Sequence, residues 1–185
     1  SSTAEYGPSA ADKEVPVKLV TYTNPSYGTD KIVLAPGVDS AEDLKGESVA
    51  VLEGGLTQIF MGIWLEQNGV SNKDVQFTNL IMDDAVGALV GGNVKAAEFW
   101  EPFGSQALEA LPGATVAASS AEGDWIETAL LGDGMYMSDA FLDKPELAAT
   151  WRTRKIDARD VEGADQSVYQ ALMAEHGPDS DTARG

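Results

Sequence analysis

The stretch VLEGGLTQIF, residues 51–60, carries the most chemical information, because an apolar run gives way there to two glycines and then to helical spacing. Glycine permits a tight turn that leaves backbone N–H groups accessible, and a helix N-terminus carries a partial positive charge. Thr57 adds a hydroxyl in the first turn. An ordinary strand-to-helix turn explains the spacing equally well. The candidate contacts for a carboxylate, a sulfonate or a similar group are Glu53, Gly54, Gly55, Leu56 and Thr57.

A second candidate is FWEPFG, residues 99–104, which again lies where an apolar run passes into a helical pattern. Trp100 offers a flat apolar wall or a cation–π partner, and Glu101 offers a carboxylate to an amine or amide donor. Pro102 has the fixed φ that suits the first position of a helix. Core packing of Trp100 and interaction of Glu101 with the helix dipole explain these residues nearly as well without a ligand.

Two further groups of polar residues belong to the same candidate cleft. Asp83 and Asp84 follow an apolar run. Paired carboxylates can bind a metal or perform acid–base chemistry. Adjacent acids at the start of a helix are more often a helix cap and its neighbour. The loop TNPSYGTD, residues 23–30, supplies amide, hydroxyl and carboxylate groups. Its candidate polar contacts are Asn24, Ser26, Tyr27 and Asp30.

Composition excludes several classes of function. The 185 residues include 30 acidic and 12 basic ones, and the formal charge of −18 opposes binding to nucleic acid or to an anionic membrane surface. With no cysteine and only one histidine, His176, neither thiolate chemistry nor a multi-histidine metal site can be assembled. No Walker motif and no nucleophile with a matched base can be identified. We therefore expect no catalytic activity, no bound metal and no cofactor.

The elements that must position these residues alternate between strand and helix. Helical spacing predicts helices at 56–68, 83–93 and 101–111, and short apolar runs predict strands at 48–52, 75–80, 95–99 and 114–120. This alternation is typical of an α/β fold with a mostly parallel sheet flanked by helices. Because the carboxyl ends of parallel strands share one edge, the three candidate turns should meet there as a binding cleft.

The flanking segments are less regular. Residues 1–15 are expected to form a loose leader, and a helix is expected at 164–177. Four basic residues between 152 and 159 are interpreted as a solvated helix face rather than as an anion or nucleic-acid contact. We also predict a short helix over 40–46 that Ser40 caps, and extended segments at 17–22, 31–36, 126–132 and 134–138.

The mixture of groups at this edge predicts the character of the ligand. Donors at the glycine turn, with acceptors on Glu101, Asp83 and Asp84, suit a molecule that has both an acceptor group and an amine or amide, such as a zwitterion or an aminopyrimidine. Nitrate should bind less well, because three carboxylates near the cleft would repel it.

Four segments together resemble one family. PGVDSAEDLKGESVAVLEGG, NGVSNKDVQFTNL, DDAVGALVGGNVKAA and WEPFGSQAL resemble the periplasmic substrate-binding proteins of nitrate, sulfonate, taurine and thiamine-precursor ABC transporters. The resemblance covers about residues 17–147. It implies a two-lobed type II periplasmic binding protein that captures a small nitrogen- or sulfur-containing molecule between its lobes and delivers it to an ABC permease. It also implies a periplasmic location, with the signal peptide absent from this sequence.

The resemblance assigns residues and boundaries as well. It places 54–57 and 100–102 on the cleft, and Gly28, Thr29 and Asp30 near the hinge. Family members are longer, so most of the first lobe is expected to be missing. The implied division is a leader with hinge strands at 1–37, a ligand-binding lobe at 38–134, and a return hinge with C-terminal helices at 135–185.

Two other functions fit the same architecture. A pyrimidine-synthase-like enzyme resembles these binding proteins, but it should need a histidine in its cleft, and His176 lies outside the recognisable lobe. An effector-binding sensory domain is the other alternative, although no DNA-binding segment accompanies it here.

Overall fold

Two β-sheets organise the described part of the chain. The computed structural model describes residues 2–3, 5–122, 125 and 131–144. The chain divides into two compact units, Ser1–Asp139 and Ala140–Gly185. Only residues 140–144 of the second unit are described, so the helix expected at 164–177, the basic residues at 152–159 and His176 lie outside the described residues. The same is true of residues 126–130 of the predicted extended segment.

Strands and helices follow one another along the described residues. In chain order the elements are β1 (Ser2–Thr3), α1 (Tyr6–Asp12), β2 (Val17–Pro25), β3 (Asp30–Leu34), a 3₁₀ turn (Ala41–Leu44), β4 (Ser48–Val51), α2 (Leu56–Gln67), β5 (Gln76–Asn79), α3 (Met82–Val90), β6 (Ala96–Trp100), α4 (Phe103–Ala110), β7 (Thr115–Ser119), β8 (Gly132–Ser138) and α5 (Asp139–Leu142).

The larger sheet has five strands in the order β5-β4-β6-β3-β7. β4 pairs in parallel with β5 and with β6, whereas β3 pairs antiparallel with β6 and with β7. Four of the five strands therefore run in one direction, so the prediction of a mostly parallel sheet is confirmed. These four are the strands that the apolar runs predicted.

The apolar faces of the helices cover this sheet and close the core. α2 begins after Gly55 and places Leu56, Phe60 and Trp64, at a spacing of four residues, on its buried side. The Phe60 ring meets the ring of Trp125 edge-on, with centroids 4.5 Å apart. On the sheet, Val49 of β4 and Phe99 of β6 are completely buried. The central strands are therefore rigid supports for the residues at their ends.

The smaller sheet is antiparallel, in the order β1-β8-β2, with β8 in the centre. Its formation overturns two expectations. Residues 1–15 are not a loose leader, because they contain β1 and α1. The loop predicted at 23–30 is shorter, because β2 continues through Pro25 along β8, with register shifts after Leu19 and after Tyr22.

Other helix predictions are confirmed with shifted ends. Ser40 caps the next segment as predicted, in a capping box with Asp43, but that segment is a 3₁₀ turn of four residues. α3 ends at Val90 rather than at residue 93, and α4 begins at Phe103 with Pro102 at its N-cap. The boundaries of the ligand-binding lobe after residues 37 and 134 stay predictions. β3, which the resemblance assigns to the hinge segment before residue 38, lies inside the five-stranded sheet.

Candidate functional site

The carboxyl edge of the four same-direction strands holds a cavity of about 380 Å³. The amino end of β3 lies at this edge too, because Asp30 pairs with Trp100 at the end of β6. Thr3, Asn24 and Asp133 of the smaller sheet also line the cavity. The cavity is lined by Thr3, Glu5, Asn24, Ser26, Thr29, Asp30, Leu52, Gly55, Leu56, Thr57, Trp100 and Asp133.

The glycine turn after β4 is closed by its own hydrogen bonds. Thr57 Oγ1 accepts from Leu52 N at 2.7 Å and lies 3.2 Å from Leu52 O, to which it donates. Glu53 N donates to Asn79 Oδ1, at the end of β5, and Gly54 N donates to Gln58 Oε1 at 2.8 Å. The prediction that the glycine N–H groups stay bare is therefore wrong.

Glycine is needed at this turn for its conformation. Gly54 has φ +75°, in the left-handed region that favours glycine. The donors that remain are in the first turn of α2, since the first N–H groups of a helix have no acceptor within it. Leu56 and Thr57 both line the cavity, so the positive end of the helix dipole lies at the cavity.

Asp30 is held at the base of the cavity by two serines. Its carboxylate Oδ2 accepts a hydrogen bond from Ser26 Oγ. The Ser120 hydroxyl oxygen, at the end of β7, accepts from Asp30 N at 3.1 Å and from Gly28 N at 2.9 Å. Burial raises the pKa of Asp30, and the nearby charges of Asp133 and Glu5 raise it further, against the lowering effects of Ser26 and Lys31.

Trp100 forms one wall of the cavity, whereas its neighbour Glu101 is engaged elsewhere. The Trp100 ring meets Phe103 edge-on, with centroids 6.1 Å apart. Glu101 forms an ion pair with Lys31, whose Nζ also donates to Gly28 O at 2.6 Å. Burial raises the pKa of Glu101, but hydrogen bonds from Lys31 and Ser105 outweigh it, so the net shift is downward. Glu101 thus ties α4 to the loop before β3 and does not line the cavity.

Glu98 is a carboxyl group that the sequence analysis did not single out. It lies on β6, is completely buried, and has no hydrogen-bond partner for either oxygen among the described residues. On the paired strands β3 and β6, Glu98 lies opposite Ile32, and Asp30 lies opposite Trp100 two residues further along. Side chains two residues apart point to the same face of a sheet, so all four project from one face. Burial, together with the charge of Asp30, raises the pKa of Glu98 well above its usual value.

The structure brings about half of the predicted contacts together. The predicted residues that line the cavity are Asn24, Ser26, Thr29, Asp30, Gly55, Leu56, Thr57 and Trp100. Those outside its lining are Tyr27, Glu53, Gly54, Asp83, Glu101 and Pro102. Asp83 is exposed at the start of α3, as is its neighbour Asp84. Asp83, Asp84 and Glu101, which the ligand hypothesis used as cleft acceptors, therefore lie outside the lining of this cavity.

Sequence reasoning missed four lining residues: Thr3, Glu5, Leu52 and Asp133. Thr3 pairs with Asp133 across β1 and β8, which are distant in the chain, so no local pattern joins them. A usable signal was GDG at 132–134, since glycines on either side of an acid in a strand often mark a close approach of another group.

Two further observations concern metals and membranes. Among the described residues, no group of three or more histidine, cysteine, aspartate or glutamate side chains could hold a metal ion. No helix in the described ranges is long and apolar enough to cross a membrane.

Comparisons with known proteins agree with this architecture. The periplasmic aliphatic sulphonate-binding protein of Escherichia coli superimposes with a TM-score of 0.66 at 25% identity, over 82% of this chain and 50% of that protein. The periplasmic nitrate-binding protein of Synechocystis superimposes with a TM-score of 0.59 at 16% identity, over 80% of this chain and 43% of that protein. These neighbours are binding proteins rather than enzymes, and they share the type II periplasmic binding fold.

A curated relative from Brucella abortus, named as a binding protein, is 27% identical over 105 residues, which is 57% of this chain. The chain spans about a third of that relative and half of the E. coli protein. The sequence model of the NMT1-like family matches residues 13–158. The chain therefore belongs to the NMT1-like family.

Proposed function

We propose that this chain acts as the solute-binding component of an ABC uptake transporter, which captures a small polar molecule in the cavity at the strand ends and presents it to a membrane permease. The observation that carries the proposal is the cavity itself. About 380 Å³ accommodates a small molecule, and its lining combines an aromatic wall, hydroxyls, carboxylates and a helix N-terminus. Membership of the NMT1-like family supports the same role.

The local geometry favours binding over catalysis. The Thr57 hydroxyl is committed to Leu52, and that of Ser26 is committed to Asp30. Neither hydroxyl has a histidine or lysine among the described lining residues to activate it, as a nucleophile needs. A binding protein requires only fixed donors, acceptors and an apolar wall, and all three are present.

The periplasm is the compartment proposed for this role. Its support is the periplasmic location stated for the sulphonate- and nitrate-binding neighbours. The sequence has no cysteine, so the protein needs no disulfides and can function in an oxidising compartment such as the periplasm.

Native mass spectrometry of the 185-residue chain with a mixed panel of small solutes tests the proposal. The panel contains choline, ethanolamine, putrescine, taurine, ethanesulfonate and nitrate. We expect at least one of them to bind at one molecule per chain and to change tryptophan fluorescence, and we expect Trp100→Leu to weaken it. Asp83→Asn, outside the cavity, is the matched control.

Two results would contradict the proposal. One is that no member of the panel binds. The other is that a solute is bound equally well by the Trp100→Leu protein. Recovery of a chemically altered solute after incubation would instead favour the pyrimidine-synthase-like alternative.

A further inference from the structure

Three carboxylates line the cavity, and in the described part of the chain none of them forms an ion pair with a cation. Glu5 comes from the segment after β1, Asp30 from β3 and Asp133 from β8. No lysine, arginine or histidine stands among the described residues of the lining. Lys31, whose charge lowers the pKa of Asp30, forms its ion pair with Glu101 and donates a hydrogen bond to Gly28 O. The cavity is therefore a site of negative potential.

The hydrogen bonds that these carboxylates receive come from neutral groups. Thr3 Oγ1 donates to Glu5 Oε1, Ser26 Oγ donates to Asp30, and Asn24 Nδ2 lies 3.4 Å from Asp133 Oδ2. The second oxygen of Glu5 is buried and has no partner among the described residues. Buried carboxylate oxygens without donors are costly, and a donor carried by a ligand would remove that cost.

A second observation is a buried carboxyl group on the same face of the sheet. Glu98, completely buried and without a hydrogen-bond partner in the described structure, projects from the sheet face that bears Asp30 and Trp100. A buried acid left unpaired beside two residues that line a cavity is more typical of a binding site than of a folding core.

The geometry points to an organic cation as the ligand class: we infer that the cavity binds a small molecule with a positively charged nitrogen, held between the carboxylates of Asp30, Asp133 and Glu5 and against the ring of Trp100. This inference rests on the proposed binding function. Trp100 offers the face that attracts an ammonium group, and the carboxylates supply its counter-charge. A metal ion does not fit, since no described cluster has the required ligands.

The inference sets this chain apart from the neighbours whose names specify anions. The E. coli protein is named for sulphonates and the Synechocystis protein for nitrate. An isolated sulfonate in this cavity would meet the N-terminus of α2 but also three carboxylates. The N–H groups of Leu56 and Thr57 are left to donate to an oxygen elsewhere on the cation, such as a hydroxyl or carbonyl.

Isothermal titration with choline, taurine and ethanesulfonate tests the charge preference, because the three share a two-carbon chain and differ in charge. We expect choline to bind more tightly than taurine, and ethanesulfonate to bind least. Asp133→Asn should weaken choline about tenfold or more, because it removes one of the negative charges that face the quaternary ammonium group. Asp83→Asn removes the same charge from an exposed position and should leave choline binding within about twofold.

Asp30→Asn is the companion variant, and circular dichroism establishes that each variant is folded. Tighter binding of ethanesulfonate than of choline, with Trp100→Leu weakening it, would overturn the cation assignment while the proposed binding function stands. Equal losses in Asp133→Asn and Asp83→Asn would also overturn it. If none of the three solutes binds, the cation assignment fails. The six-solute panel described under the proposed function then tests that function separately.

Discussion

The five-stranded and three-stranded sheets both contribute to the cavity, but they are built on different principles. The central strands of the larger sheet, β3, β4 and β6, are largely buried, and Val33 of β3 and Phe99 of β6 are completely buried. The long strand of the smaller sheet is largely exposed: Leu19 is 54% exposed and Tyr22 43% exposed. Burial of apolar area is the main source of stability, so the larger sheet should supply most of it. The smaller sheet contributes polar side chains to the binding wall.

Removing one large side chain from each sheet tests this contrast most strongly. Phe99→Ala should lower the free energy of unfolding by about 3–5 kcal/mol, because it leaves a cavity between the sheet and its helices. Leu19→Ala should cost less than about 1 kcal/mol, because its side chain is already half in water.

Urea denaturation followed by circular dichroism measures both changes. If Phe99→Ala does not fold, Ile32→Val, a smaller deletion on the neighbouring strand, should still cost about 0.5–1.5 kcal/mol. Equal losses at Leu19 and at the buried positions would mean that the two sheets contribute alike.

Glu98 is the exception within the apolar sheet, and replacing it should sharpen the contrast. Its pKa is raised by burial and by Asp30, so the folded state holds a proton that the unfolded chain releases. Its contribution to stability is therefore fully present below about pH 4.3, the usual glutamate pKa, and is lost as pH rises through the higher folded-state pKa.

Glu98→Met replaces the unpartnered carboxyl with an apolar side chain of similar length. We expect it to raise the free energy of unfolding at neutral pH by about 1–3 kcal/mol, the cost of an unsatisfied buried polar group. The gain should grow with pH when urea titrations are repeated from mildly acidic to neutral buffer. A loss of stability, or a gain that is the same at every pH, would contradict the assignment of a raised pKa.

Much of the larger sheet could be predicted, because its signals are local. The apolar run at β4, the two glycines and the spacing of Leu56, Phe60 and Trp64 define a strand, a turn and a helix within twenty residues. Asp30 and Trp100 could likewise be assigned to a cleft because each lies at a strand end.

The smaller sheet and its share of the site could not be predicted in the same way. Asn24 and Pro25 are typical of loops, yet they lie in β2 because they pair with Asp133 and Gly132, more than a hundred residues later. α1 has small residues and a proline in place of an apolar stripe. Glu101 was assigned to the ligand because nothing local reveals that Lys31, on a different strand, would neutralise it.

Loss of the Glu101 ion pair should have the smallest effect. Hydrogen bonds from Lys31 and Ser105 lower the pKa of Glu101 in spite of its burial, so its stabilising contribution is present above the usual glutamate pKa and is lost as pH falls through the folded-state value. Because Glu101 is about one third exposed, Glu101→Gln should cost only about 0.5–1 kcal/mol at neutral pH.

The cost of Glu101→Gln should vanish in acid, and choline affinity should not change, since this carboxylate lies outside the cavity lining. Thermal unfolding at neutral and acidic pH measures the loss of stability, and titration calorimetry measures the choline affinity. A specific loss of choline affinity in this variant would return Glu101 to the binding site.

A crystal structure of the chain with the tightest-binding member of the solute panel tests the central claim most directly. The account predicts the solute in the cavity at the strand ends, with its charged nitrogen beside Asp30 and Asp133, its body against Trp100 and an oxygen near the N-terminus of α2. A solute bound on another surface, with this cavity empty, would contradict it.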